Sequence, residues 1–181
     1  MNSQRMKITY LAAMSLDGFI ARENGDVSWL DELNISMSES GLEAFFKSVD
    51  GLVMGRATYD FVFHYGSWPY EDKPTWVCTH RDLEPLKGAN LIIVSEIEEV
   101  IRQATSQGLK HLWLLGGGKL ASSFLSQGLL THLSLSEMPV QLGSGIPLFA
   151  NHNLDQIPYV EREIIDKIKF RQIEYTLREG G

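Results

Sequence analysis

Short apolar runs of strand length alternate along this chain with segments whose apolar residues recur at helical spacing, and no other feature constrains the fold more. Ile8 to Met14, Gly51 to Met54, Thr75 to Cys78, Leu91 to Val94, His111 to Leu115 and Leu130 to Met138 read as strands. Between them stand helix patterns: Leu42, Phe45, Phe46 and Val49 on one face, then Arg56 to His64, then Ile97, Val100, Ile101 and Ala104, then Leu120, Ala121, Phe124 and Leu125. Ser40 with Glu43, and Ser95 with Glu98, have capping-box spacing, and Gly108 and Gly128 fall where the last two helices end. Buried strands separated by helices imply an α/β fold, a central mostly parallel sheet with helices on both faces. The tail breaks the rule. Tyr159 to Ile165 and Lys169 to Leu177 alternate apolar and polar residues around Asp166-Lys167, which predicts an antiparallel hairpin at one edge of the sheet. With 181 residues and no repeat or linker, a single domain over residues 1–181 is expected.

Composition removes several function classes. The 16 basic and 23 acidic residues give a net charge of −7 without long runs of one sign, so the basic stripe of a nucleic-acid binder is missing. An anionic ligand must then be held by a local constellation. The single cysteine, Cys78, rules out an intrachain disulfide and favours a reducing compartment. The five histidines have no metal-ligand spacing, and no metal is expected. No apolar run approaches the roughly 18–20 residues of a membrane span. The apolar stretch near the start is short and is cut by Asp17, unlike a signal peptide. The expectation is a cytoplasmic protein with a small-molecule substrate and neither nucleic-acid nor membrane partners.

In open α/β sheets ligands sit beyond the carboxyl ends of the strands. There the chain carries Leu114-Leu115-Gly116-Gly117-Gly118-Lys119-Leu120, a strand running through three glycines into a helix. Losing every Cβ at this turn lets backbone N–H groups approach a phosphate at the helix N-terminus, with Lys119 adding a cation. A tight turn needing positive φ is the plainer reading, though one glycine would satisfy it. Neither the dinucleotide-binding nor the P-loop glycine pattern is present. A second strand end, Val53-Met54-Gly55-Arg56-Ala57-Thr58, suits an anion too, although Arg56 reads equally as a surface helix residue. A third carries Thr79, His80 and Arg81. Together they suggest a long polyanionic ligand lying across the strand tips.

The blocks Ile8 to Ile20, Val53 to Thr58 and Leu115 to Lys119 resemble, in order and spacing, the dihydrofolate reductase superfamily over nearly the whole chain. Ser15-Leu-Asp-Gly18 and the Gly-rich Pro139 to Phe149 are similar to the riboflavin-biosynthesis reductase domain, and the length resembles its stand-alone bacterial relatives. The resemblance implies a single dihydrofolate-reductase-like domain and NADPH as hydride donor. It assigns Ala13 and Ile20 to the nicotinamide. Gly55, Arg56, Ala57 and Thr58 and the run Gly116, Gly117, Gly118, Lys119 and Leu120 go to the pyrophosphate, with Leu115 beside them a further cofactor-binding residue. Arg56 with Thr79, His80 and Arg81 goes to the adenosine 2′-phosphate. The implied activity is that of 5-amino-6-(5-phosphoribosylamino)uracil reductase, an NADPH-dependent oxidoreductase that delivers hydride to a ribosylated aminopyrimidine. Dihydrofolate reductase and a non-catalytic NADP-binding protein are the alternatives.

Substrate residues transfer less directly. The carboxylate that binds the pterin ring in folate enzymes aligns with Asn34, Glu39 or Leu42 according to where the gap falls. The arginine for folate's glutamate tail aligns with Lys73, beside Glu71 and Asp72, which serves a dianion poorly. Asp17 is the carboxylate nearest the expected nicotinamide and a candidate catalytic group, or simply the turn residue of Asp17-Gly18. Ser136 matches an active-site floor hydroxyl and reads equally as an ordinary strand residue. Trp29, matching the family's loop tryptophan, is a candidate for substrate binding. It, Phe63, Trp68 and Tyr70 suit stacking on a heterocycle or packing as lid or core. The zinc deaminase signature P-C-x-x-C of the bifunctional riboflavin enzyme is absent from the sequence. The edge hairpin and the family's habit lead to an expected homodimer.

Overall fold

A computed structural model describes residues 5–179, so the first four and last two residues of the 1–181 span lie outside the described residues. Ten strands and five α-helices follow in the order β1 (Lys7–Met14), β2 (Phe19–Ala21), α1 (Met37–Ser40), α2 (Leu42–Ser48), β3 (Gly51–Gly55), α3 (Arg56–Tyr65), β4 (Thr75–Cys78), β5 (Leu91–Val94), α4 (Ile97–Ser106), β6 (His111–Gly116), α5 (Gly118–Ser126), β7 (His132–Glu137), β8 (Ile146–Pro147), β9 (Tyr159–Asp166) and β10 (Arg171–Leu177). Eight strands form one sheet in the order β5-β4-β3-β6-β1-β7-β10-β9. The first six of that order run parallel, and β10 and β9 close the edge antiparallel. The α/β architecture and its C-terminal hairpin are therefore as the periodicity predicts.

Strand alternation divides the core between the two faces. Tyr10, Val53, Leu112, Leu114, Leu133 and Leu135 bury one face against Val100 and Ala104 of α4 and Ala121 and Phe124 of α5. Their neighbours in sequence turn the other way. Leu52 and Trp113 pack under Leu42, Phe45 and Phe46 of α2, while Met54 and Val77 meet Tyr59 and Phe63 of α3. Helices thus cover both faces, with α2 and α3 confined to the β3 side of the second face.

Three local expectations are corrected. The box at the start of the first helix is formed by Ser36 and Glu39, not Ser40 and Glu43. The chain breaks at Gly41, which takes the left-handed conformation and ends α1, so α2 starts behind a glycine that has no side chain to cap with. Helix α4 begins one residue later than the Ser95–Glu98 spacing implies. Its N-cap is Glu96 without a side-chain bond, and Glu99 pairs with Arg102 and Gln103. The Gly-rich connection also holds a strand, because β8 pairs antiparallel with β2 in a separate two-stranded sheet. Gly145 permits this approach: at φ +154 it is strained for any other residue, and a Cβ there would lie 2.2 Å from the Ala21 carbonyl oxygen.

Candidate active site

Helices α3 and α5 both start at the carboxyl ends of central strands, and both have glycine as N-cap, Gly55 and Gly117, with no side-chain capping bond. The first-turn N–H groups of two helices are thereby left without protein side-chain partners at neighbouring strand tips. Between them opens a cleft of about 1350 Å³. Its lining brings together Ile20, Gly55, Arg56, Ala57, Thr58 and His80 with Gly117, Gly118, Lys119 and Leu120. The β2–β8 sheet supplies a wall through Ala21, Ile146 and Pro147. Three strand ends, those of β3 at Gly55, β4 at Cys78 and β6 at Gly116, thus meet at one groove.

The three glycines do different work. Gly116, at φ +128, closes β6 opposite Met54 across a register shift, in a conformation other residues avoid. Around Gly117 a Cβ would meet only the Thr58 hydroxyl at 4.0 Å, so the missing side chain leaves open space on the cleft side. At Gly118 a Cβ would sit 2.7 Å from the Pro147 carbonyl, so this glycine serves the close passage of the 147–150 backbone.

Other expected cofactor residues lie elsewhere. Ala13, Thr79, Arg81, Leu115 and Gly116 are not among the cleft-lining residues. The Thr79 hydroxyl accepts from the Arg81 amide at 3.2 Å, making a local turn. Arg56 is largely committed. Its Nε donates to Asp60 at 2.9 Å and its Nη1 to the carbonyls of Asp82 and Arg81 at 3.0 and 3.4 Å. Much of the charge offered to an incoming phosphate is therefore already answered by Asp60, whereas Lys119 and His80 are exposed at the cleft. Burial pushes the Cys78 thiol up to about 11, so it borders the cleft as a protonated, unreactive group.

The two catalytic candidates, Asp17 and Ser136, are both held in hydrogen bonds of the fold. Asp17 is a clamp. Its carboxylate accepts from the Ser15 hydroxyl at 2.5 Å, the Leu142 amide at 3.1 Å and the Gly143 amide at 2.7 Å, tying the first turn to the Gly-rich connection. Desolvation acts to raise its pKa, but these bonds together outweigh it and hold the carboxyl below its usual range. A carboxylate stabilised as the anion is a poor proton donor near neutral pH. Ser136 donates to the Gln172 side chain at 2.7 Å across β7 and β10, within a network that includes Ser134 and Glu174. Trp29 is only 1% exposed and packs with Met138 and Phe170, so its ring is core and has no face free for stacking. Its indole N–H is buried without an acceptor, as is that of Trp113.

The folate-type features do not assemble. Glu39 accepts from the Ser36 amide and pairs with Lys169, Asn34 ends a 3-10 turn with its carbonyl bonded to Lys169, and Leu42 is an apolar wall residue. Lys73 donates to the carbonyls of Phe46 and Val49 and lies 4.1 Å above the Phe46 ring. Sequence reasoning did not find Trp113, whose position in an apolar strand gave no sign of an unpaired donor. It also left Asp60 out, although an i, i+4 Arg56–Asp60 spacing was visible.

Comparison with known proteins agrees with this fold. The family model for the RibD C-terminal domain matches residues 65–176. The uncharacterized protein YwjB of Bacillus subtilis is 32% identical over 148 residues, covering 81% of this chain and 83% of that protein. The crystal structure of a putative riboflavin biosynthesis protein from Shewanella sp. PV-4 superposes with a TM-score of 0.77 at 29% identity, over 96% of this chain and all of the other. A diaminohydroxyphosphoribosylaminopyrimidine deaminase/5-amino-6-(5-phosphoribosylamino)uracil reductase from Thermotoga maritima has the same fold, with a TM-score of 0.77 at 14% identity, over 97% of this chain and 58% of that one.

Proposed function

Because the chain belongs to the RibD C-terminal domain family, a reductase-domain family, we propose that it is an NADPH-dependent reductase of the riboflavin-biosynthesis type, acting on a small heterocyclic or ribosylated compound. The observation that carries the reading is the pair of uncapped, glycine-led helix N-termini facing one cleft. Such ends favour phosphate through both free N–H groups and the helix dipole. The cleft, about 1350 Å³, has room for an extended dinucleotide and continues to the β2–β8 wall.

In this reading the first-turn amides of α3 and α5 hold the pyrophosphate, and Gly117 admits it by presenting no Cβ. Lys119 and His80 supply positive charge along the same line, and Arg56 fixes the loop that carries His80 by bonding its carbonyls at residues 81 and 82. Ile20 and Leu120 give the cleft apolar walls that keep water from the reacting end. Bound NADPH supplies a hydride to an electrophilic carbon of the substrate, whose adjacent heteroatom takes a proton from solvent. The clamp at Asp17 holds the turn Ser15 to Gly18, and so the start of β2, against the connection that forms β8. Folate reduction is disfavoured by the use of Glu39 and Lys73 in structural bonds.

The test is parallel calorimetric titration with NADPH, NADH and NADP⁺. The phosphorylated pair is expected to bind preferentially, and Gly117→Val to weaken NADPH by about a hundredfold or more while the fold is retained. Absence of binding by all three, or unchanged affinity in the variant, would refute the proposal.

A further inference from the structure

At the end of the sheet opposite the glycine-led cleft, a second cavity of about 440 Å³ opens where β1 and β7 begin and β10 ends. Because β6, β1 and β7 run parallel, the eight residues of β1 set it roughly 20 Å from the carboxyl ends of these strands. Its volume falls in the range of small-molecule pockets. Met6, Val160 and Leu177 give it an apolar lining, and the rest of the wall is mostly cationic. Lys7 lies two residues before Thr9, which pairs with His132, and His132 lies opposite Thr176 of β10. Strand alternation therefore puts Lys7, His132 and Thr176 on one face of the sheet. Arg5 reaches the same cavity from the chain before β1.

Thr131 fixes how His132 is presented. The Thr131 hydroxyl donates to the Ile8 carbonyl at 3.0 Å and accepts from the Ile8 amide at 2.8 Å, so at its 2.7 Å contact with His132 the ring Nδ1–H donates. Among the described residues the other ring nitrogen, Nε2, has no partner, and neither do the Lys7 ammonium and the Thr176 hydroxyl. Arg5 donates to the Gly128 carbonyl, and Glu179, 3.9 Å from it with a side chain 82% exposed, pairs with it only weakly. Two further carboxylates stand on the adjoining strands. Glu161 of β9 lies opposite Thr176, and Glu174 of β10 accepts from Ser134 and Gln172. Among the described residues neither forms an ion pair with Arg5, Lys7 or His132. Desolvation, then the charges of Lys7 and Arg5, hold the His132 imidazole below its usual range. His111 of β6 is pushed down further, to about 4, and adds no charge near neutral pH. In a chain of net charge −7, positive groups thus crowd one cavity and repel one another, and an anion placed among them relieves that repulsion.

We propose that this cavity binds a small organic phosphate monoester, whose oxygens accept from Lys7, Arg5 and the His132 Nε2–H while Met6, Val160 and Leu177 cover its apolar body. The site is separate from the cleft and stands or falls independently of the dinucleotide reading. A bound anion favours the protonated His132 ring, so binding takes up a proton and tightens as pH falls through the ordinary histidine range.

The experiment compares three probes that differ only in their head group, phenyl phosphate, phenyl sulfate and phenol, by calorimetry and by ¹H–¹⁵N NMR spectra of the full chain. Phenyl phosphate is expected to shift the amides of residues 5–7, 131–132 and 176–179, and phenol at the same concentration to leave them in place. Lys7→Gln and His132→Gln are each expected to weaken phenyl phosphate by about fivefold to tenfold, with NADPH affinity unchanged. Phenyl sulfate, whose charge is constant across this range, is expected to bind about fivefold more tightly at about pH 5.5 than at about pH 8, a difference lost in His132→Gln. Shifts confined to cleft residues 55–58 and 117–120, equal shifts with phenol, or none with any probe would overturn the proposal. So would an unaltered phenyl phosphate affinity in both variants. Sulfate binding that is independent of pH would remove His132 from the site. Whether NADPH binds bears on the reductase reading alone.

Discussion

Gly117 and Gly118 are adjacent and nearly identical in sequence context, yet their surroundings assign them opposite roles. A Cβ at Gly118 would face backbone atoms of Pro147, Leu148 and Ala150 at 2.7, 3.2 and 3.3 Å, none of which belongs to a flexible side-chain end. Gly118→Ala is therefore expected to cost about 1–3 kcal/mol of folding stability in urea titration, as overpacking does, whereas Gly117→Ala, with open space before it, is expected to leave stability within about 0.5 kcal/mol. Equal losses in the two variants would contradict this division. His111 gives the pH dependence at the same scale. Desolvation, with the nearby Lys7 charge, pushes its imidazole down to about 4, while Thr9 bonds the ring at 2.8 Å. An unfolded histidine titrates near 6.5, so as pH falls from about 6.5 to about 4 the unfolded chain takes up a proton that the folded chain refuses. Stability is then fully present above the upper value and declines through that window. Discounted for partial exposure, the loss is on the order of 2 kcal/mol. His111→Gln is expected to flatten the acid limb of a urea-stability profile, leaving the smaller slope from His132, which desolvation also lowers. A wild-type slope in that variant would refute the assignment.

At the scale of elements, long-range pairing decides what local motifs leave open. Ser-x-x-Glu occurs as Ser36–Glu39, Ser40–Glu43, Ser95–Glu98 and, inside β7, Ser134–Glu137, but only the first forms a box, because only there is the serine extended with a helix beginning at the next residue. The main strands and the hairpin were legible because each buries apolar residues with a regular period, and the glycine-led strand ends were legible because three consecutive glycines exceed what one tight turn needs. The β2–β8 sheet was not: β2 has three residues, β8 has two, one of them proline, and the partners lie more than 120 residues apart. The engagement of Lys73 and Lys169 was illegible for a related reason. Whether Lys73 or Lys169 is free depends on carbonyls of Phe46, Val49 and Asn34, which no spacing rule connects to them. The Asp17 clamp joins the elements that sequence reading missed, since it fixes residues 142 and 143 just before β8. Asp17→Ala is expected to speed amide exchange across residues 140–143 and to cost about 1 kcal/mol, as loss of part-exposed hydrogen bonds does. The pH profile of any reduction should keep its shape. Disappearance of an acid-side limb would return Asp17 to the role of proton donor.

At the scale of the whole molecule, the sheet ends in β9, an eight-residue strand hydrogen-bonded on one side only, to β10. Nearly every residue of it is exposed, including Tyr159, Val160 and Ile164, which is the profile of a strand open to pairing with another chain. Symmetry restricts how a second copy of this protein could use it. Two antiparallel edges related by a two-fold axis through the continuous sheet place residue i opposite a residue of the same parity, with one residue opposite itself at the centre. Centring on Arg162 sets Arg162 against Arg162 and Glu161 against Glu163; centring on either glutamate sets that glutamate against itself. Like charges directly opposed destabilise a pair, so the run Glu161-Arg162-Glu163 disfavours the registers centred on it, whereas centring on Ile164 sets Arg162 against Asp166. On the face of the hairpin Ile164, opposite Ile173 of β10 yet 48% exposed, is an apolar residue available for contact with a second copy. Replacing Glu161, Arg162 and Glu163 together by threonine keeps strand propensity and removes the opposed charges. Sedimentation velocity is expected to show concentration-dependent association in that variant beyond any in the wild type, whereas Ile164→Lys should lower whatever association the wild type has. Identical sedimentation of the triple variant and the wild type would mean that the edge is kept apart by its twist or by the neighbouring chain, and not by these charges.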